Sequence, residues 1–151
     1  MTVITLHTEI KTSIEKAFQL SLDIDFHKRT ASQTHEEAIA GVTTGIIKHN
    51  ETVTWRGKHF GFFLTHTSKI TAYEAPNYFV DEMIEGNFKS FRHQHFFEEK
   101  EGIVYMKDII SYNTPFGIFG KLFDALLLRK HMKDFIENRN SILKTELEQN
   151  S

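Results

Sequence analysis

Two histidines, two residues apart in the run FRHQHFFEE (Phe91–Glu99), are the part of this sequence best suited to chemistry. Imidazole changes charge nearest neutral pH, so it serves as proton carrier, metal ligand or hydrogen-bonded anchor. Alternation along an extended strand puts Phe91, His93, His95 and Phe97 on one face and Arg92, Gln94, Phe96 and Glu98 on the other. The polar run Glu98–Gly102 reads as a turn, and IVYMKDIISY returns from it. On the returning segment Val104, Met106, Asp108, Ile110 and Tyr112 share a face, the inner one, because the other face carries Lys107 and Ser111. If Glu98 and Ile103 close the turn, His93 lies opposite Asp108 and His95 opposite Met106; a two-residue slip pairs His95 with Asp108 instead. Either register buries an imidazole–carboxylate pair, which relieves the cost of burying the acid alone.

Three kinds of chemistry fit such a pair. It can be a satisfied structural contact that fixes the sheet. It can face a cavity, where His93, His95 and Asp108 would hold a ligand's polar end or move protons. A His-x-His strand is also a zinc pair, with His66 or Glu82 as third ligand. The chain has no HExxH motif and no cysteine, so no metal and no other cofactor is assigned. A two-residue turn at Gly86-Asn87 would place Val80 opposite His93 and Glu82, facing inward, opposite Phe91; a bulge would expose Glu82.

The elements that must position these residues are legible from periodicity. Thr2–Ile10 alternates as a first strand. Thr12 and Glu15 form a capping box for a short helix carrying Ile14, Ala17, Phe18 and Leu22, which ends near Asp23–His27. Further strands are expected near 34–40, 43–48, 51–57, 62–73, 78–85, 88–98 and 103–112. Within them Phe62, Leu64, His66, Ser68 and Ile70 share a face, as do Val53 and Trp55. After Pro115 apolar residues recur at helical spacing, from Phe119, Leu122, Phe123 and Leu126 to Met132, Phe135, Ile136, Ile142, Leu143 and Leu147. This is an amphipathic helix of about 45 Å whose stripe must face something large and apolar. The order is α+β: one antiparallel sheet and one long terminal helix, with room for a cavity between them.

Composition narrows the function classes. The 151 residues fit a single domain, 1–151, with its own core. A net charge of −2 and the absence of a basic cluster beyond the short LRKHMK run give no footprint for nucleic acid. No cysteine means no disulfide, no thiolate metal site and no cysteine nucleophile. The N-terminus lacks a signal-peptide pattern and no apolar run approaches a membrane span, so a soluble, cytoplasmic protein without integral membrane insertion is expected. Fourteen phenylalanines are the compositional outlier, enough for a core, a cavity lining or both.

The segments EEAIAGVTTGIIKHNETVTWRGKHFG, ITAYEAPNYFVDEMIEGNF, FRHQHFF, KDIISYNTPFGIFGKL and ENRNSILK together resemble the SRPBCC or START-like superfamily, in its bacterial polyketide cyclase/dehydrase-like or ligand-binding branch. The likeness spans essentially the whole chain. It includes His27, Gly41, Gly45, Trp55, His59-Phe60-Gly61, Pro76, Asp81, Gly86, Phe88, His93, His95, Asp108, Pro115, Gly117 and Gly120, with Asn87 where many relatives have proline. It implies a helix-grip fold: a curved seven-stranded antiparallel sheet wrapped around a long C-terminal helix, with two short helices near the N-terminus and a hydrophobic cavity between sheet and helix.

Three functions follow as expectations. The first is binding of a small hydrophobic or amphipathic molecule. Trp55, Phe62, Leu64, Phe91, Met106, Ile110, Phe119, Phe123 and Leu126 would grip its apolar part; His66, His93, His95, Asp108 and Tyr112 would orient its polar end. The second is a cyclase or dehydratase in which His93, His95 and Asp108 act as acid and base and Arg56 or Tyr112 stabilises an enolate. The third is a protein-interaction domain with a filled interior. The oligomeric state, monomer or homodimer, is left open.

Overall fold

A computed structural model describes residues 1–150. Seven strands form one wholly antiparallel sheet: β1 (Thr2–Lys11), β2 (Glu37–Gly41), β3 (Thr52–His59), β4 (Phe62–Glu74), β5 (Tyr78–Glu85), β6 (Ser90–Lys100) and β7 (Ile103–Asn113). Their order is β1-β7-β6-β5-β4-β3-β2, so the last strand closes against the first and the others follow as a meander. Two short helices, α1 (Ile14–Ser21) and α2 (Ile24–Thr30), link β1 to β2. The chain ends in α3 (Gly117–Phe123), a π-helical turn (Asp124–Leu128) and α4 (Arg129–Gln149), which follow one another without a break.

Local chemistry explains these boundaries. The cap of α1 is Ser13, whose hydroxyl accepts from Lys16 N, rather than the expected Thr12. Glu99 Oε2 reaches over from β6 to take Ile14 N at 2.8 Å. Helix α2 is separate because Asp23 interrupts the chain and caps Phe26 N. The segment expected as a strand near 43–48 joins no ladder of the sheet. It pairs with the α1–α2 junction: Ile24 N donates to Gly45 O, and Ile47 N to Leu22 O. The Asp25 carboxylate accepts from Thr44 Oγ1 and Gly45 N and fixes it there.

Two apolar clusters hold sheet and helices together. In one, Phe18 of α1 sets its ring edge-on to Tyr73, Phe79 and Phe97 at 5.4–5.6 Å, with Leu143 and Leu147 of α4 packed alongside. In the other, Ile4, Leu6, Ile110 and Tyr112 meet Leu128 and Ile136. Burying each such side chain contributes about 1.5–3 kcal/mol. The helical stripe read from sequence divides at the π turn. Ile136, Leu143 and Leu147 are buried, whereas Phe119 (77%), Leu122 (57%) and Leu126 (68%) stand exposed. One extra residue in the turn rotates everything before it relative to everything after it.

Candidate functional site

Strand register decides what meets at the centre of the sheet. The β6–β7 turn is the two residues Glu101-Gly102, both at positive φ (54° and 77°), and Lys100 pairs with Ile103. Positive φ at both positions suits the right-handed twist of a hairpin, and glycine makes the second inexpensive. The register is therefore two residues on from closure at Glu98: His95 lies opposite Asp108, and His93 opposite Ile110. On the other side Asp81 pairs with His93 and Glu82 with Arg92. The β5–β6 connection is four residues, not two, and this shift turns Asp81 inward and Glu82 outward, where it meets Arg92 Nε at 2.9 Å.

The result is a four-membered cluster of alternating acid and imidazole. Asp108 Oδ1 faces His93 Nε2 at 2.8 Å and His95 Nδ1 at 3.1 Å. Asp81 Oδ2 faces His95 Nε2 at 2.7 Å and His93 Nδ1 at 3.9 Å. The two rings lie 3.7 Å apart, and Phe79 stacks on His95 at 4.1 Å. Burial alone would raise both carboxyl pKa values; hydrogen bonds and charge from the histidines outweigh it and hold both well below the usual range. Burial and the neighbouring His95 push His93 down against the pull of Asp108. His95 goes the other way: burial would lower it, but hydrogen bonds to Asp108 and Asp81 raise it.

This cluster sits in the wall of a cavity of about 510 Å³ between sheet and C-terminal helix, a size that suits a small organic molecule. Of the residues expected in a site, Trp55, Leu64, His66, Phe91, His93 and His95 line it from the sheet, and Phe119 and Phe123 from α3. Asp108 lies behind the histidines, 1% exposed. Met106, Ile110 and Tyr112 are packed in the core and form no part of the lining. Tyr112 gives its hydroxyl hydrogen to the Asp124 carboxylate, and burial together with that acid raises its pKa. Phe62, though on the inward parity, stands at the strand's end and is 71% exposed; Leu126 is also exposed and off the wall. Arg56 points to solvent over the Phe63 ring, away from any enolate.

A second polar group in the cavity escapes the sequence reading. His27 Nε2 meets Glu36 Oε2 at 2.8 Å, His59 Nε2 lies 3.6 Å from Glu36 Oε1, and His59 Nδ1 meets His131 Nε2 at 3.0 Å. The His27 ring lies against Trp55, with centroids 4.1 Å apart. Burial raises the Glu36 pKa, but hydrogen bonds from His27 and His59 prevail and bring it to about 2. The α2–β2 region supplies His27 and Glu36, nine residues apart, while His59 comes from β3 and His131 from α4. The one available signal was parity, since Trp55, Gly57 and His59 share the inward face of β3.

A third polar feature is Arg139 of α4, 8% exposed and on the cavity wall. Its Nη2 donates to Ser21 O at 3.0 Å, and its Nε has no partner. Among the described residues it forms no ion pair within 4.0 Å and acts on Asp81 only at longer range.

No protein-family model matches the sequence, and no curated protein does. Solved structures match in shape. The protein TTHA0849 from Thermus thermophilus superposes with a TM-score of 0.80 at 16% identity, covering 99% of both chains. A START superfamily protein from Mycobacterium smegmatis gives 0.74 at 10% identity, again over 99% of both chains. Ginseng major latex-like protein 151 from Panax ginseng gives 0.71 at 14% identity, over 97% of each. The chain has the helix-grip fold of the START-like superfamily, the architecture implied by its sequence resemblance. Among the described residues, no helix is long and apolar enough to cross a membrane.

Proposed function

We propose that this protein binds a small amphipathic molecule, with a hydrophobic or aromatic body and an acidic head, in the cavity between sheet and α4. The observation that carries the reading is Arg139. A buried guanidinium is costly without a negative partner, and this one borders an apolar cavity with no carboxylate at ion-pair distance among the described residues. An oxyanion on the ligand would complete it. Trp55, Leu64, Phe91, Phe119 and Phe123 would hold the apolar body, while His66, His93 and His95 would face its polar substituents. The fold neighbours support the architecture for such a pocket and leave the ligand's identity to experiment.

The first test is a native mass spectrum of the purified chain beside a denatured one. An organic adduct lost on denaturation, and absent from an Arg139→Met variant that remains folded, is the expected result. A chain that carries no adduct and binds none of a panel of aliphatic and aromatic carboxylates overturns the proposal. One observation favours a second reading, a cyclase- or dehydratase-type enzyme: His93 Nδ1, 3.9 Å from Asp81 and without a hydrogen bond among the described residues, is free to take a proton from a bound carbonyl compound.

A further inference from the structure

We infer that Asp81, His93 and His95 form a binding site for one divalent transition-metal ion, zinc in the first instance, in the wall of the cavity. Asp81 Oδ2, His93 Nδ1 and His95 Nε2 all lie within 4.8 Å of one another. A tetrahedral zinc with bonds of about 2.0–2.1 Å keeps its ligand atoms about 3.3 Å apart. The present separations of 2.7 and 3.9 Å from the acid oxygen straddle that value, so small side-chain rotations bring the three atoms onto an ion.

The far side of each ring fixes its orientation. His93 Nε2 and His95 Nδ1 both face Asp108 Oδ1. An ionised carboxylate only accepts hydrogen bonds, so both of those nitrogens carry hydrogen. The opposite nitrogens, His93 Nδ1 and His95 Nε2, are thereby turned toward Asp81. His93 Nδ1 makes no hydrogen bond among the described residues and directs its lone pair toward a carboxylate oxygen. Two electron-rich atoms in that arrangement are stabilised by a cation between them.

Metal-bound histidines almost always donate their other N–H to a carboxylate or carbonyl, which holds the ring and raises its basicity. Here one carboxylate, 1% exposed, does this for both rings and is itself held by Asn140 Nδ2 at 2.7 Å. Asp81, with 25% of its side chain exposed, and both rings line the cavity. The fourth position therefore opens on that space, as in zinc sites that keep a place for water or a bound oxygen ligand. On metal binding, the hydrogen between His95 Nε2 and Asp81 Oδ2 leaves to solvent. Two imidazoles and one carboxylate also suit ferrous iron; the inference is the site itself, and it stands whether or not an organic ligand shares the cavity.

The test uses the full chain, stripped with a chelator and checked by circular dichroism, then titrated with Zn²⁺ alone by calorimetry and with Co²⁺ by visible absorption. The expected result is a single equivalent bound, with cobalt bands of a four- or five-coordinate nitrogen–oxygen site. Asp81→Ala and His93→Ala should each weaken zinc by about 100-fold or more, and Asp108→Asn by about 10–100-fold. Glu82→Ala, on the outer face, should change nothing. Should His95 or Asp108 variants fail to fold, Asp81→Ala, at the partly exposed corner of the cluster, carries the test. A folded, stripped chain that takes no zinc overturns the inference, as does zinc binding that survives Asp81→Ala and His93→Ala together.

Discussion

Asn140 Nδ2 donates to Asp108 Oδ2 at 2.7 Å, joining α4 to β7 through the carboxylate that both His93 and His95 also face. The contact is buried on both sides, with Asn140 at 4% and Asp108 at 1% exposure. It ties the helix that covers the cavity to the sheet that forms its wall. A hydrogen bond to a buried charge is worth about 1.5–3 kcal/mol. Asn140→Ala should lower unfolding stability by that amount in urea titration, and Asn140→Asp should cost more by setting a second negative charge against Asp108. An effect below about 0.5 kcal/mol would mean that water replaces the amide without loss.

Acid should act on the second cluster through Glu36. Its pKa falls from 4.5 to about 2 on folding. A depressed carboxyl stabilises the fold fully above its unfolded pKa, and the contribution fades as pH drops from about 4.5 toward about 2. The shift corresponds to at most about 3 kcal/mol. Wild type should exceed Glu36→Gln in stability by up to that amount at pH 7, and the two should converge as pH approaches 2. A gap that stays constant across the range would sink the assignment.

Glu82 and Arg92 offer a contrast on the outer face. Their side chains are 36% and 44% exposed and meet at 2.9 Å. Pairs of this kind contribute between zero and about 1 kcal/mol. Glu82→Ala should shift stability by no more than that, and less in high salt, without touching anything the cavity binds. A large loss would place Glu82 inside.

Gly120 is fixed by close approach. A Cβ there would stand 1.8 Å from Pro115 O and 3.0 Å from Thr114 Oγ1. The backbone cannot yield without moving the first turn of α3 and, with it, Phe116 and Phe119 at the cavity edge. Gly120→Ala should therefore cost about 1–3 kcal/mol, lower the melting temperature and weaken binding of the proposed ligand. A neutral substitution would show that this start of the helix is free to adjust.

Face assignments in β6 and β7 were legible because alternation survives any even slip: Phe91, His93, His95 and Phe97 turn inward in every register considered. The pairing itself was not, because a polar run announces a turn without naming its two central residues. Only the positive φ of Glu101 and Gly102 settles that Lys100 closes on Ile103. Asp81 was missed for the opposite reason. The connection after Glu85 is longer than the Gly-Asn signal suggests, and Phe88 turns in to pack on Phe91 and Tyr112. Parity turns His59 inward, but its meeting with His27, Glu36 and His131 lay beyond reach because it depends on how α2 and α4 cross the sheet, which no local pattern encodes.

The π turn at Asp124–Leu128 gives the C-terminal helix two independent tenants. Beyond it, Ile136, Leu143 and Leu147 answer to the core and tolerate little change. Before it, Phe119 and Leu122 of α3 stand exposed and carry no part of the core. Substitutions in the first stretch can reshape the cavity's edge at Phe119 and Phe123 while the second keeps the molecule folded, so the two halves of one helix can change at different rates.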